Sequence, residues 1–144
     1  MIQSAKDQVA ALTEAAYERA AAAGSLPAGA EVRATIEIPK DTSHGDYASS
    51  FAMAGAKALR MAPRAIAQTI VDNLELEGSY FSRVEIAGPG FLNFTLGPKW
   101  YGDVLGAVEQ EGATYGSGSG GAGKKVMVEF VSANPTGPMH MGNA

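Results

Sequence analysis

Between Ser4 and Ala23 the apolar positions recur at helical spacing, with Val9, Leu12, Ala16 and Ala20 on one face of a segment rich in Ala, Glu and Gln. That spacing predicts an amphipathic helix ended by Gly24. From Val32 to Ile38 the period shortens to two. Val32, Ala34, Ile36 and Ile38 alternate with Arg33, Thr35 and Glu37, which predicts a half-buried strand stopped by Pro39. Lys40 to Gly45 is a polar loop. Asp46 is placed to cap a helix running to about Met61, and Pro63 suits the first turn of another reaching about Leu76. Arg83–Ala87 and Phe91–Leu96 are short alternating runs. Ala87-Gly88-Pro89-Gly90 joins them as a tight turn, so they predict a hairpin. Pro98 opens a last helix to about Glu111.

The order helix, strand, helix, helix, strand, strand, helix predicts an α+β domain with a small, mainly antiparallel sheet and its helices packed on one face. The alternation agrees, because only one side of each strand is apolar. Val84, Ile86, Leu92, Phe94 and Leu96 are expected to point inward. Arg33, Arg83, Glu85, Phe91, Asn93 and Thr95 are expected on the outer face. Gly112 to Gly123 is dominated by Gly and Ser, a flexible linker. The expected division is residues 1–111 as one domain, 112–123 as linker, and 124–144 as the start of an incomplete α/β nucleotide-binding unit.

Composition narrows the choice of chemistry. Lys and Arg number 11 against 15 Asp and Glu, a net charge of −4, which argues against broad non-specific binding to nucleic acid but leaves room for local contacts. With no cysteine there is no disulfide framework and no thiolate metal site. His44 and His140 are far apart, and no metal site is expected. The chain has no apolar run of membrane-spanning length and no signal-peptide pattern at its start, so a soluble, cytoplasmic protein is expected.

Several segments invite a functional reading. Gly118 to Lys125 nearly fits a phosphate-binding loop. Lys125, however, stands where Ser or Thr must hold Mg²⁺, and the strand follows the glycines instead of preceding them, so a plain linker is expected. Asp46 needs no role beyond capping, and His44 is expected at the surface. Phe91 and Asn93, two residues apart, share one strand face. An aromatic ring there offers a platform for an unstacked base, and the amide can pair with a base edge. Cover by a loop or a further domain is the plainer alternative. Lys57, Arg60 and Arg64 could hold phosphates, or simply form a solvated helix face.

The end of the chain carries more. Val126 to Val131 is an apolar run of buried-strand type with Glu129 inside it, a carboxylate for which a cationic partner is expected. Ser132 and Asn134 follow where open parallel sheets bind ligands. His140 and Gly142 then fall at a helix start, where a histidine can donate to a phosphate and a glycine lets a ligand approach the backbone.

The run Val128-Glu129-Phe130-Val131-Ser132-Ala133-Asn134-Pro135-Thr136-Gly137-Pro138-Met139-His140-Met141-Gly142 resembles the signature segment of arginyl-tRNA synthetases, class I enzymes. Upstream, Ile36-Glu37-Ile38-Pro39, Gly45-Asp46-Tyr47-Ala48-Ser49, Ala56-Lys57, Pro63-Arg64-Ile66-Ala67 and Ala87-Gly88-Pro89-Gly90-Phe91-Leu92-Asn93-Phe94 resemble that family's N-terminal additional domain. The resemblance implies an arginine–tRNA ligase, with ATP and Mg²⁺, L-arginine and an arginine-specific tRNA as its partners. It implies that Glu129, Ser132 and Asn134 bind arginine. His140, Gly142 and Asn143 would contact ATP, with His140 and Asn143 in catalytic positions. Phe91 and Asn93 would reach the D-loop at the tRNA elbow. Lys57, Arg60 and Arg64, grouped by their spacing, are expected to add tRNA contacts. Asn143 departs from the family motif, which commonly ends in His, and Asn cannot carry a positive charge. The 144 residues are expected to be an N-terminal piece that binds the tRNA elbow, holds no cofactor and has no ligase activity. Two other readings stay open: an interaction domain that docks on a protein or on a second copy, and the start of a different His-x-Gly-His nucleotidyl transferase. Separately, the apolar Val126, Val128 and Phe130 of that segment are candidates to pair with a sheet edge of another copy.

Overall fold

Ala5, Val9, Ala16 and Ala20 are fully buried, and their small side chains give the first helix a smooth face that can approach a sheet closely. In the computed structural model, which describes residues 2–129, this helix is α1, Ile2–Ala22. The remaining elements are β1 (Ile36–Glu37), β2 (Tyr47–Ser49), α2 (Phe51–Leu59), α3 (Pro63–Asp72), β3 (Phe81–Ala87), β4 (Phe91–Leu96) and α4 (Pro98–Glu111). The sheet runs β1-β2-β4-β3, and every pairing is antiparallel. The chain divides into two compact units, one up to Gln110 and the other from Glu111.

Cross-strand partners in an antiparallel ladder share a face. Tyr47 faces Phe94 and Ser49 faces Leu92, and all four are buried. This inner side meets Val9, Leu59, Ile66 and Ile70 from α1, α2 and α3 in one core. Phe81 links two aromatic neighbours edge-on, with ring centroids 5.2 Å from Phe94 and 5.9 Å from Tyr47. Beyond α1 the chain is pinned by Tyr17, whose hydroxyl donates to the Pro27 carbonyl at 2.8 Å and accepts from the Ala30 N–H at 2.9 Å.

Two elements differ from expectation. The strand expected over 32–38 is reduced to Ile36–Glu37, and Arg33 lies outside the sheet, paired with Glu31 at 3.4 Å. Just before β1, Thr35 instead bonds Ser50, its N–H donating to the Ser50 hydroxyl at 2.9 Å. Asp46 does not cap a helix. Its N–H donates to the Phe94 carbonyl and its carboxylate accepts from the Leu96 N–H, both at 2.8 Å, which ties it to β4. Tyr47–Ser49 then runs as a strand before α2 begins at Phe51. Three residues are too few to display a period of two, and their location beside β4 is a tertiary fact. Smaller differences fall at element ends. The helix from Pro63 stops at Asp72, and β3 starts at Phe81 with an irregular register between Phe81 and Arg83.

Burial of Tyr47, and secondarily the neighbouring Asp46 carboxylate, hold its phenol above the ordinary value of 10.0. The folded chain therefore prefers the neutral phenol. The resulting stability is fully present below about pH 10 and is lost as pH rises through the higher folded value. Urea midpoints measured between about pH 9 and pH 12 should fall for the wild type more than for Tyr47→Phe. Equal falls would show that Tyr47 does not contribute.

Candidate nucleic-acid interface

The outer face of the sheet is built from the residues between the core positions. Register places Glu37 opposite Ala48, Ala48 opposite Asn93, and Asn93 opposite Glu85, one continuous row across all four strands. Phe91 pairs with Ala87 in the next row along β4. Over this face lies an open groove of about 580 Å³. Glu37, Ala48, Phe91 and Asn93 line it from the sheet, and Gly88-Pro89 and the Pro39–His44 loop form its ends.

The hairpin turn is held from behind. Gly90 is buried with φ at +144°, and a Cβ there would stand 3.1 Å from the Pro63 backbone, so the α3 start packs directly under the turn. Arg64, in the first turn of α3, donates from Nη1 to the Gly88 carbonyl at 3.1 Å. At the other end, the Asp41 carboxylate accepts from the Ser43 N–H at 2.9 Å and caps the short turn Thr42–His44. The Ser43 hydrogen bonds hold the Asp41 carboxyl below its ordinary value; desolvation opposes them, and the nearby His44 adds the smallest pull in the same downward direction.

The structure alters the expected environment of both outer-face residues. Phe91 is half-buried rather than open. Asn93 is only 6% exposed, although its strand position is outward-facing. β4 is a central strand flanked by β2 and β3, so neighbours on both sides cover a short outward side chain. The Asn93 amide makes no hydrogen bond among the described residues, and it lines the groove. Of the three expected phosphate contacts, Arg64 stands beside the hairpin turn. Lys57, in the last turn of α2, and Arg60, just past its end in a left-handed backbone conformation (φ 54°), are exposed and do not line the groove. His44 is exposed, as expected, yet it joins the groove wall with Lys40, Asp41 and Glu37. The parity of Glu37 puts it on the outer face from the alternation alone. Its place in the same groove as Asn93 follows from β2 lying between them.

The second candidate region is only partly described. Glu129 and the apolar Val126, Met127 and Val128 are exposed, and residues 124–129 form no strand. A parallel strand needs neighbours to take its backbone hydrogen bonds, and no described strand pairs with this segment. The expected buried strand and cationic partner for Glu129 are thus absent among the described residues. Ser132, Asn134, His140, Gly142 and Asn143 lie outside them. The glycines of 118–123 are exposed and lead into no helix among the described residues, unlike a phosphate loop. No described helix is long and apolar enough to cross a membrane.

Residues 5–96 match the family model described as the arginyl tRNA synthetase N terminal domain. The arginine–tRNA ligase of Acetivibrio thermocellus is 46% identical over 144 residues, covering 100% of this chain and 26% of that protein. The arginine–tRNA ligase of Caldanaerobacter subterraneus is 43% identical over the same length, again with 26% of its own sequence matched. The chain thus spans about a quarter of the length of these relatives. Among solved structures, the arginyl-tRNA synthetase of Plasmodium falciparum superposes with a TM-score of 0.55 at 13% identity, covering 69% of this chain and 17% of that one. That likeness supports the α+β fold alone.

Proposed function

Because the chain belongs to the arginyl-tRNA synthetase N-terminal domain family, we propose that it is the tRNA-elbow-binding part of an arginine–tRNA ligase. The ligase would activate L-arginine with ATP and Mg²⁺ and transfer it to an arginine-specific tRNA. The observation that carries the elbow reading is the groove on the outer sheet face. There an aromatic, Phe91, and an amide residue without a side-chain partner among the described residues, Asn93, meet on one central strand. A groove that offers a ring for stacking and an unspent amide suits an unpaired base better than a phosphate, because Glu37 and Asp41 also line it. Arg64 beside the turn, with Lys57 and Arg60 farther along, supplies cations for the flanking backbone.

Arginine and ATP contacts by Glu129, Ser132, Asn134, His140, Gly142 and Asn143 belong to the same proposal for the whole ligase. Chemistry in such a site is positioning and stabilisation of charge on the reacting phosphate, for which hydrogen-bond donors at a helix start are suited. By itself the 144-residue chain is proposed to have no ligase activity, and ATP–pyrophosphate exchange by it would refute that. The elbow reading is tested by titrating an arginine-specific tRNA transcript against the chain at low salt. Phe91→Ala should weaken binding about tenfold, the loss of one base–aromatic contact. Equal affinity of the two proteins, or no binding by the wild type, would sink it.

A further inference from the structure

We propose that Glu37 is a specificity-determining residue of the outer-face groove, accepting a hydrogen bond from the exocyclic amine of an adenine or cytosine held by Phe91 and Asn93. The inference rests on the base-binding reading above and extends it to one further side chain.

The register carries the argument. Glu37 and Asn93 lie in one row across the sheet, with Ala48 between them. Two strand intervals separate their backbones by roughly 9–10 Å. The intervening residue has only a methyl group, so the floor of the groove is low where the two longer side chains face one another. In the proposed arrangement a planar ring lies over that methyl with its edge toward both. Both polar groups are also uncommitted. Glu37 is exposed and forms no ion pair or side-chain hydrogen bond among the described residues, whereas Glu85, on the far side of Asn93, is paired with Arg83 at 3.4 Å. Asn93 is 6% exposed, lines the same groove and makes no side-chain hydrogen bond among the described residues.

The chemistry of the two groups selects the ligand. A carboxylate only accepts, and an amide both donates and accepts. Together they match an edge that carries an amine beside an acceptor ring nitrogen, which adenine and cytosine have. The Asn93 amide donates to the ring nitrogen while Glu37 takes an amine proton. Uracil offers a carbonyl at the amine position and would set an oxygen against the Glu37 carboxylate. A carboxylate near an anionic backbone is otherwise a cost, because it repels phosphate at any base. The two roles therefore predict opposite signs on mutation.

The experiment compares two arginine-specific tRNAs against the full 144-residue chain. One has its ordinary D-loop. In the other, the D-loop adenosines and cytidines are replaced by purine riboside and pyrimidin-2-one riboside, which lack only the amine. Wild type should prefer the ordinary tRNA by about tenfold, the scale of one good base contact. Glu37→Ala should lose that preference by weakening the ordinary tRNA, and Glu37→Gln, which keeps an acceptor oxygen, should retain part of it. Equal tightening of both tRNAs by Glu37→Ala would overturn the proposal in favour of simple charge repulsion, and an unchanged preference would overturn it too. If Phe91→Ala weakens binding in either of those cases, the elbow reading survives without Glu37. If Phe91→Ala has no effect, the base-binding reading fails and the Glu37 assignment fails with it.

Discussion

Phe94→Ala should lower the unfolding free energy by about 3–5 kcal/mol, the usual range for removing a buried aromatic ring. Phe94 is fully buried on the central strand β4. Its ladder partners are Tyr47 on one side and Val84 on the other, and the Phe81 ring meets it edge-on. Truncation empties the point where the sheet meets the helices, and Tyr47, Val84 and Phe81 lose their common partner. A domain of this size has about 5–15 kcal/mol in total, so the loss is a large part of it. Urea denaturation should show a lowered midpoint with little change in slope. Phe94→Leu, which keeps most of the volume, should cost less than half as much. A loss below about 1 kcal/mol for the alanine variant would mean that the core relaxes into the space. Since Phe91 and Asn93 sit on the same strand and face the other way, any weakening of tRNA binding in Phe94→Ala should follow the folded fraction and disappear when the fold is restabilised.

The parts of the fold that could be read from the sequence are those whose signal is local. The hairpin was legible because glycine and proline mark its turn and two alternating runs flank it. β4 and α4 begin and end where the pattern places them. β2 was hidden for the opposite reason. Tyr47-Ala48-Ser49 becomes a strand by pairing with β4 across more than forty residues and with β1 on its other side, and Asp46, a plausible helix cap by type, is drawn to β4 as well. That omission also hid the groove. Phe91 and Asn93 could be placed on one face from their spacing, but the sheet order β1-β2-β4-β3 is what buries Asn93 and brings Glu37 into its row. The cations show the same divide. Spacing groups Lys57, Arg60 and Arg64, whereas the packing of α3 under the hairpin turn singles out Arg64.

Gly45→Ala should destabilise the chain by about 3 kcal/mol, an effect that the residue's exposed neighbourhood does not suggest. Two costs combine. The backbone at Gly45 has φ 81° and ψ −169°, a region that is essentially glycine-only and costs about 1–3 kcal/mol for other residues. In addition, a Cβ at this position would stand 2.8 Å from the Phe94 carbonyl oxygen and 3.2 Å from its carbon. Those atoms belong to the backbone of the central strand and cannot turn aside as a flexible side chain would. Moving Gly45 instead would stretch the two Asp46 bonds to β4, from its N–H to Phe94 and from the Leu96 N–H to its carboxylate. Gly29→Ala separates the two costs. Gly29 also has a positive φ, +75°, but nothing lies within 4 Å of its Cβ position, so that variant should lose only about 1 kcal/mol of backbone preference. If Gly45→Ala unfolds at the same urea concentration as Gly29→Ala, the contact with Phe94 is not constraining. If it is the less stable of the two, as expected, its folded fraction also reports on function. Gly45 fixes where the Lys40–His44 wall of the groove joins the sheet, so tRNA affinity corrected for folding should fall in Gly45→Ala and stay unchanged in Gly29→Ala.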